Sequence, residues 1–586
     1  MTTYSSNGFI ATFNGTTNLA TSYSSGATLE LVVSDATTTA SYVTDFVNPG
    51  NFDDVTFNGF SYNIRVNGVD ESTFSGGNGA EATFGQLVWD DGGTTRTSYL
   101  LSLENTTNGN DYIFVIGGDA VPVFASTAAF NSFLINDVIS IGSAPNGSGF
   151  EAGANIPLAG IPGVSTSEND TVVGTSGADV YDTGAGDDNI DAGAGDDTLI
   201  GGAGGDILEG GTGTDTVDYS ASNAFVNVQL QYNSAVGGHA AGDTLSHIEN
   251  LTGSDFNDNL VGSPGVNVLV GGNGNDTLKG LNGADELHGG AGDDWLYVDN
   301  LDSVIDGGAD TDRMIVTNGN GVTVDVGAGS IEIATGNTGN DTFDGSTATA
   351  DLTLRGRSGD DVLTGGSGDD YIFGDAGIDQ LVGGDGLDRL FVDENDTLID
   401  GGAGIQDRVL VQQLASATTG VSIDMAASHV EVAFGNLKDD TFNGSASTDA
   451  LSLYGRGGDD ILTGGSANDR LFGDNDSGAG DILDGGQGND FLRGGGNTGG
   501  IPEADQFVFR DLWGNDRIFD FADNGIEKID FSNVAGIDEI GDLTITDFTG
   551  YAMISYTDTV SAAWTASIRV DGVTAAELGT GDFIFV

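Results

Sequence analysis

The stretch Gly201-Gly202-Ala203-Gly204-Gly205-Asp206-Ile207-Leu208-Glu209 is one unit of a repeat with a period of nine residues. Glycine fills four of the first five positions, an aspartate stands sixth, and a large apolar residue stands eighth. The same frame recurs through the middle of the chain, from about residue 166 to residue 502. Self-similarity at a short fixed period is typical of stacked-repeat architectures, so the repeat decides the fold class.

The last three residues of each unit predict a short strand whose middle side chain points into a core, and the first six predict a tight turn. Such turns need φ > 0, which glycine tolerates best. Two units then make one flattened coil of 18 residues, and stacked coils pair as parallel sheets. The predicted fold is all-β, an interrupted parallel β-roll. Val322–Val326 and Val421–Met425, which lie between repeat runs, predict strands that continue the stack without metal.

The sixth-position aspartates occur in four runs and are the candidate metal ligands. They are Asp179, Asp188, Asp197, Asp206 and Asp215, then Asp276, Asp285 and Asp294, then Asp361, Asp370, Asp379 and Asp388, and finally Asp460, Asp469, Asp481 and Asp490. Asn267 and Ser303 stand in aspartate positions of the second run, which weakens the expectation of an ion there.

A core this thin predicts a metal-dependent fold. Burying one Val or Leu contributes about 1.5–3 kcal/mol, whereas ordering the backbone of each residue costs roughly 1–2 kcal/mol. Calcium takes about 6–8 oxygen ligands from carboxylates and backbone carbonyls, both of which this repeat supplies. Turns on one edge are 18 residues apart, so we expect calcium between Asp179, Asp197 and Asp215 on one edge and between Asp188 and Asp206 on the other. The same spacing pairs Asp276 with Asp294, Asp361 with Asp379, and Asp370 with Asp388.

Composition points the same way. The chain has 89 acidic and 16 basic residues, a net charge of −73, which is typical either of an acidic, partly disordered protein or of a carboxylate array that binds cations. The strict phase of the aspartates favours the array. This charge would repel nucleic acid and anionic lipid, so we expect neither as a partner. There is no cysteine, so disulfides cannot stabilise the fold, and we expect bound metal to do so instead. No apolar window approaches the length of a membrane helix, and the N-terminus lacks the pattern of a signal peptide.

The flanking zones predict two further domains. Residues 1–165 contain short alternating stretches such as Ala27–Val33 and Ser98–Leu103, which predict a β-sandwich-like domain. Residues 503–586 contain Phe507–Phe509 and Leu543–Phe548, which predict a β-rich C-terminal cap. The predicted organisation is therefore 1–165, 166–502 and 503–586.

The iterated Gly-Gly-x-Gly-x-Asp-x-apolar-x units resemble the RTX (repeats-in-toxin) family of calcium-binding proteins from Gram-negative bacteria. The resemblance covers roughly residues 170–315 and 336–495. It implies export by type I secretion machinery through an uncleaved signal in the C-terminal segment, and hence a protein outside the cell or associated with its surface.

Two functional hypotheses remain open at this point. No His-Glu-x-x-His or Gly-x-Ser-x-Gly motif occurs, and residues 1–165 contain no histidine. We therefore assign no catalytic residue and favour a non-enzymatic structural or adhesive protein, with cell-surface polysaccharide or self-association as its interaction. The alternative is a secreted hydrolase, such as a glycosidase, with its site in residues 1–165. The acids near Trp89 that leave it open are Asp53, Asp54, Asp70, Glu71, Asp90 and Asp91.

Overall fold

The structure, a computed structural model, describes residues 169–174, 176–413, 418–474, 480–496, 504–522, 526–557 and 565–585, together with the backbone of eleven strands between residues 2 and 157. The chain divides into two compact units, Met1–Asp294 with Leu301–Val304, and Trp295–Asn300 with Ile305–Val586. The described residues contain no α-helix, and none of their helical turns has the length and hydropathy needed to cross a membrane. Short 3₁₀ turns occur at Leu230–Tyr232, Gly238–Ala240, Ile540–Asp542 and Thr580–Asp582.

The N-terminal strands form one antiparallel sheet in the order β11-β3-β4-β7-β8-β9-β1-β2-β5-β6, and β10 also pairs with β7. Their bounds are β1 Thr2–Phe13, β2 Ala20–Val33, β3 Thr39–Val43, β4 Asp53–Phe57, β5 Tyr62–Val66, β6 Val69–Asp70, β7 Glu81–Asp91, β8 Thr94–Asn105, β9 Asn110–Gly118, β10 Val138–Gly142 and β11 Ile156–Pro157. The predicted stretches Ala27–Val33 and Ser98–Leu103 lie in β2 and β8.

In the first unit the repeat consists of short strands, most of them three residues long. They are β12 Thr171–Val173, β13 Val180–Asp182, β14 Asn189–Asp191, β15 Thr198–Ile200, β16 Ile207–Glu209, β17 Thr216–Asp218, β18 Asn227–Gln229, β19 Ser234–Val236, β20 Thr244–Ser246, β21 Asn250–Thr252, β22 Asn259–Val261, β23 Val268–Asn273, β24 Thr277–Lys279 and β25 Glu286–Ala291. Strands of successive coils pair in parallel, so that Thr198 lies opposite Thr216 in the next coil, whereas β18 and β19 form an antiparallel pair. The prediction of a parallel β-roll with 18-residue coils is confirmed.

The second unit has strands on two faces. They are β26 Trp295–Val298, β27 Val304–Ala309, β28 Arg313–Val316, β29 Thr323–Asp325, β30 Ile333–Thr335, β31 Thr342–Asp344, β32 Thr353–Ser358, β33 Val362–Thr364, β34 Tyr371–Ala376, β35 Gln380–Gly386, β36 Arg389–Val392, β37 Leu398–Gly404, β38 Arg408–Val411, β39 Ser422–Asp424, β40 Val432–Phe434, β41 Thr441–Asn443, β42 Ser452–Arg456, β43 Ile461–Thr463, β44 Arg470–Asp474, β45 Ile482–Asp484, β46 Phe491–Arg493, β47 Gln506–Arg510, β48 Asn515–Ile518, β49 Lys528–Asn533, β50 Thr544–Phe548, β51 Tyr551–Thr557, β52 Thr565–Asp571 and β53 Phe583–Ile584.

The two faces of this unit differ in continuity. On one face the even-numbered strands form an unbroken parallel sheet from β26 to β48. On the other face the odd-numbered strands form two sheets, β29 to β37 and β39 to β49, and β53 completes the second. The predicted insert strands Val322–Val326 and Val421–Met425 contain β29 and β39, and each of these starts a new sheet. The interruptions therefore affect only one face of the roll.

A single file of apolar side chains fills the space between the faces. The eighth-position residues Val172, Tyr181, Ile190, Leu199, Leu208 and Val217 are between 0 and 3 % exposed. Phe343 and Phe442 take the same role beside β29 and β39, where the turns differ. Since each coil buries few large side chains, the apolar core alone is small for the length of chain that it orders.

The C-terminal zone begins as a continuation of the roll. The strands β47, β48 and β49 still pair in parallel with the coils before them, and the antiparallel strands β50, β51 and β52 follow. Rings of Phe509, Trp513 and Phe531 pack together with centroids 5.5–5.8 Å apart. This aromatic cluster gives the end of the roll a larger core than the glycine-rich coils have.

Candidate metal sites

The sixth-position aspartates lie at the two edges of the roll, where each strand begins. Fifteen of the sixteen predicted ligands are at most 2 % exposed, and Asp179 is half-buried. Each aspartate stands two residues before the buried apolar residue of the strand that follows. Because side chains two residues apart on an extended segment face the same side, the aspartate also points inward. The carboxylates thus form columns along the edges rather than a solvated acidic surface.

In the predicted ligands other than Asp179, one carboxylate oxygen joins two successive turns. Oδ1 of Asp206 accepts the backbone N–H of Asp188 at 2.8 Å, and Oδ1 of Asp215 accepts that of Asp197 at 2.8 Å. The same bond links the other pairs that the spacing predicts to be neighbours, Asp179 with Asp197, Asp276 with Asp294, Asp361 with Asp379, and Asp370 with Asp388. The predicted juxtaposition of aspartates 18 residues apart is therefore present in the structure.

The second oxygen of many of these carboxylates is buried without a hydrogen-bond partner. Among the described residues this holds for Oδ2 of Asp197, Asp206, Asp215, Asp276, Asp361, Asp379, Asp388 and Asp490. A buried polar atom that makes no hydrogen bond costs about 1–3 kcal/mol, and more when it is charged. A column of such oxygens is therefore an arrangement that calls for cations.

The pKa values of these carboxyl groups also indicate that their charged form is unfavourable without a cation. Burial raises the pKa of Asp388 to about 7, and the neighbouring carboxylates of Asp370 and Asp407 add to the rise. Burial likewise raises the pKa of Asp490 to about 8, with Asp516 contributing. Without a counter-ion, the folded roll disfavours the charged form of its own aspartates.

In two of the predicted ligands, Asp370 and Asp469, both carboxylate oxygens accept backbone N–H groups. Oδ2 of Asp370 accepts the backbone N–H of Gly366 at 2.7 Å, and Oδ2 of Asp469 accepts that of Gly465 at 2.6 Å. Gly384, the equivalent glycine of the next turn on that edge, has a φ of +116°, whereas Gly366 is not in the left-handed region. The backbone conformation of the second turn residue thus decides whether its N–H reaches the carboxylate.

We call a turn closed when Oδ2 of its aspartate accepts the backbone N–H of the residue four positions earlier. The closed turns of Asp370 and Asp469 lie where a column begins. The turn before Asp370 on its edge ends at Leu352, and the turn before Asp469 ends at Leu451, neither of which has a carboxylate. Among the aspartates that the structure describes, Asp258, Asp341 and Asp440 also accept the N–H of the residue four positions earlier, and each follows a turn that ends in valine. A closed turn therefore marks the first carboxylate of a column.

Glycine brings backbone oxygens into the columns. A Cβ on Gly202, whose φ is +83°, would lie 1.6 Å from the carbonyl oxygen of Gly184 in the preceding turn. A Cβ on Gly204 would lie 1.6 Å from the oxygen of Gly186. The carbonyls of one turn therefore lie directly against the next turn, next to the carboxylates.

Sequence reasoning missed a set of acids that occupy the next place in a column. Their carboxylates accept the N–H of the aspartate one turn earlier, and they are Asp243, Glu249, Asp302, Glu332, Asp396, Asp407, Glu431, Asp505 and Asp516. Most lie outside the glycine-rich frame. An acid two residues before a buried apolar residue, as in Asp243-Thr244-Leu245, was the available signal.

The donor set fits calcium. Calcium prefers hard oxygen ligands, both carboxylate and carbonyl, and stacked turns supply both. In the described part of the chain no three Asp, Glu or His side chains converge on one point. Two carboxylates from neighbouring turns and the carbonyls between them are the residues that would hold an ion.

The acids considered for hydrolysis have side chains outside the described residues. Asp53, Asp54, Asp70, Asp90 and Asp91 fall on N-terminal strands of which the structure describes only the backbone, and Glu71 falls outside the described residues altogether.

Comparison with known proteins identifies the repeat. A family described as the RTX calcium-binding nonapeptide repeat (4 copies) matches residues 164–199, 182–217, 252–287, 270–302, 288–322, 353–381, 452–478 and 476–498. No curated protein matches the chain. Among solved structures, the extracellular lipase LipA from Serratia marcescens matches with 15 % identity and a TM-score of 0.15, over 50 % of this chain and 45 % of the lipase. The chain thus spans less than half the length of that lipase.

Proposed function

Because the chain carries RTX calcium-binding nonapeptide repeats between residues 164 and 498, we propose that it is a secreted structural or adhesive protein of a cell surface or extracellular matrix. Its roll folds when calcium binds outside the cell. Calcium binding is the family property, and the adhesive role is the further step proposed here.

The observation that carries the proposal is the column of buried aspartate oxygens without a hydrogen-bond partner. Asp197, Asp206 and Asp215 present such atoms in successive turns. Calcium modules of extracellular proteins bind at about 10⁻⁴–10⁻³ M. Sites of that affinity fill in calcium-rich medium and stay empty where calcium is scarce, so folding is coupled to leaving the cell.

The export route belongs to the proposal. The RTX repeats are the basis for expecting type I secretion machinery as a partner, with the signal in residues 503–586. A chain that stays unfolded until it meets calcium is suited to passage through a narrow channel. The roll then becomes rigid only after export.

The structural role rests on what most of the described chain consists of. From Thr171 to Asn533 the described strands other than β19 belong to stacked coils. A solenoid offers long regular faces for binding. The competing hypothesis is a hydrolase whose catalytic site lies in residues 1–165.

The test uses the full-length protein and the producing cells. In millimolar calcium we expect the protein to bind the cell surface, and chelation should release it, whereas equimolar magnesium should not restore binding. The calcium-loaded protein should show no turnover in a screen of glycosides and esters. Turnover in that screen would establish the hydrolase instead, and failure of the folded protein to bind cells would contradict the adhesive role.

A further inference from the structure

One outer face of the second unit has a composition unlike the rest of the chain. In the even-numbered strands β26 to β48, the residues on either side of the buried central residue point outward in two rows. The first row is Trp295, Arg313, Ile333, Thr353, Tyr371, Arg389, Arg408, Val432, Ser452, Arg470, Phe491 and Arg517. The second row is Tyr297, Ile315, Thr335, Arg355, Phe373, Phe391, Leu410, Phe434, Tyr454, Phe472 and Arg493, with Phe519 after β48. We call these two rows the arginine–aromatic face.

This face contains no acidic residue, although the chain has 89 acids and only 16 bases. Seven of those bases stand in the two rows. The opposite face has the reverse composition, because its strands place Asp325, Asp344, Asp400 and Asp424 outward and no arginine or aromatic residue at the equivalent positions. The two faces of one roll are thus chemically distinct.

The aromatic side chains form a ladder along the second row. The rings of Phe434 and Tyr454 are 4.7 Å apart with an interplanar angle of 11°, and those of Tyr454 and Phe472 are 4.7 Å apart at 2°. Phe373 and Phe391 stack at 4.1 Å. The ladder thus has two stacked segments, Phe373–Phe391 and Phe434–Tyr454–Phe472, with Leu410 between them. Within each segment the rings cover one another's faces and present their edges outward.

Four arginines of the first row have no carboxylate partner. In the part of the chain that the structure describes, Arg313, Arg389, Arg408 and Arg470 make no ion pair. Arg313 and Arg389 instead lie over the rings of Trp295 and Tyr371, at 5.3 and 4.7 Å from the ring centroids. In so acidic a protein, arginines without partners are available to an anion from outside.

Two of these arginines are direct neighbours. Arg389 and Arg408 lie opposite each other on the adjacent parallel strands β36 and β38. Like charges at such positions repel each other, and an anion that bridges both would remove that repulsion. Guanidinium groups bind carboxylates through two parallel hydrogen bonds, which makes them selective for planar anions.

We propose that the arginine–aromatic face binds a linear polysaccharide that carries carboxylates, laid along the rows with its acid groups on the arginines and its sugar rings against the aromatic ladder. This rests on the proposed extracellular adhesive function and names its partner. The face is extended because the roll adds one strand per coil from β26 to β48, and this suits an extended polymer better than a compact ligand.

Other anionic partners fit less well. Single-stranded nucleic acid binds by stacking bases on open aromatic faces, and in this ladder the rings stack on one another. A second copy of the chain carries the same net charge of −73, so two copies repel each other. A polymer brings its charges only to the face itself.

The test measures binding of calcium-loaded, full-length protein to polygalacturonate, with dextran as the neutral polymer, by isothermal titration calorimetry. Binding should be seen for polygalacturonate only and should weaken as salt is added. The double variant Arg389→Gln/Arg408→Gln should bind about tenfold to a hundredfold more weakly, because two bidentate contacts are lost. The control Lys438→Gln/Lys528→Gln makes the same change in net charge away from the rows and should bind like the wild type.

Circular dichroism separates the possible failures. If calcium no longer induces β-structure in the wild type, the proposed function itself fails. If the protein folds and the arginine double variant binds as well as the control variant, the inference is wrong. Equal binding to dextran or to oligo(dT) would also overturn it, as would a calcium-dependent dimer that the double variant abolishes in the absence of polymer. Arg470→Gln alone serves if the double variant does not fold, with a smaller loss expected on the same assay.

Discussion

The two oxygens of each stacked aspartate have different roles. In Asp388, Oδ1 accepts the backbone N–H of Asp370 and holds two turns together, whereas Oδ2 is buried without a hydrogen-bond partner. In Asp370, both oxygens accept backbone N–H groups. We therefore propose that carboxylates of the first kind contribute most to calcium binding and that those of the second kind contribute least.

Replacing Asp388 with Asn tests this division within a single turn. The amide keeps an oxygen for the N–H of Asp370 but loses the charge, so we expect fewer bound ions and a loss of about 2–3 kcal/mol of calcium-dependent stability. Calcium titration followed by calorimetry and chemical denaturation measures both. Asp385→Asn removes the same charge from an exposed position of that turn and should change neither. Equal effects of the two variants would contradict the role of the buried oxygen.

Glycine at the second turn position is required by the approach of the preceding turn. Gly202→Ala places a methyl group 1.6 Å from the oxygen of Gly184 at a φ of +83°, so the turn must shift. We expect weaker calcium-induced folding, measured as a higher calcium midpoint in circular dichroism. Gly205→Ala is the matched control, because its Cβ would meet nothing closer than 3.5 Å. If Gly202→Ala folded at the same midpoint as Gly205→Ala, this view of the turn would be wrong.

At the scale of the element, each strand is too short to be stable alone. A strand such as β16 buries only its central residue, and its partners β14 and β20 lie one coil away on each side. Stability therefore depends on neighbouring coils, as in other solenoids. A defect in one strand should weaken the coils on both sides of it.

Two adjacent residues of β16 test how much the row of buried apolar side chains contributes to the stability of the roll. Leu208 is fully buried and Ile207 is 51 % exposed. Leu208→Ala should lower the free energy of unfolding of the calcium-loaded protein by about 2–5 kcal/mol, because it leaves a cavity, whereas Ile207→Ala should change it by less than about 1 kcal/mol. Urea denaturation in calcium measures both. Similar losses of unfolding free energy in the two variants would mean that bound calcium, and not the row of buried apolar side chains, stabilises the roll.

At the scale of the whole molecule, carboxylate repulsion opposes folding until cations bind. The pKa values of Asp206, Asp276 and Asp361 are each raised to about 7, chiefly by burial and then by neighbouring carboxylates. Because these values exceed the ordinary value of 3.8, folding without calcium takes up protons. That stabilising contribution is complete below pH 3.8 and is lost as the pH rises through about 7.

Chelated protein should therefore depend on pH in a defined direction. Without calcium we expect more β-structure by circular dichroism at pH 5 than at pH 8, and at pH 8 millimolar calcium should restore the roll while millimolar magnesium should not. A chelated protein with equal structure at both pH values would show that carboxylate repulsion is not what unfolds it. The N-terminal sheet gives a background signal, so the difference between conditions is the quantity to compare.

Much of the roll could be predicted from the sequence because its structure is periodic. A period of nine fixes which residue of each unit is buried, and so Leu199, Leu208 and Val217 were identifiable as core. The same period places Asp197 against Asp215, since two units make one coil. Where the chemistry repeats with the coil, local pattern and tertiary position carry the same information.

What the tertiary structure decided depends on breaks in that period. Arg389 and Arg408 are 19 residues apart, outside the frame, and they become neighbours only because the intervening turn absorbs the extra residue. Asp370 has the same sequence context as its neighbours, yet the turn before it carries no carboxylate and the backbone N–H of Gly366 closes it. A nine-residue repeat therefore determines the coil and its core by itself, whereas the pairing of coils across inserts decides which oxygens are left for calcium and which arginines meet on one face.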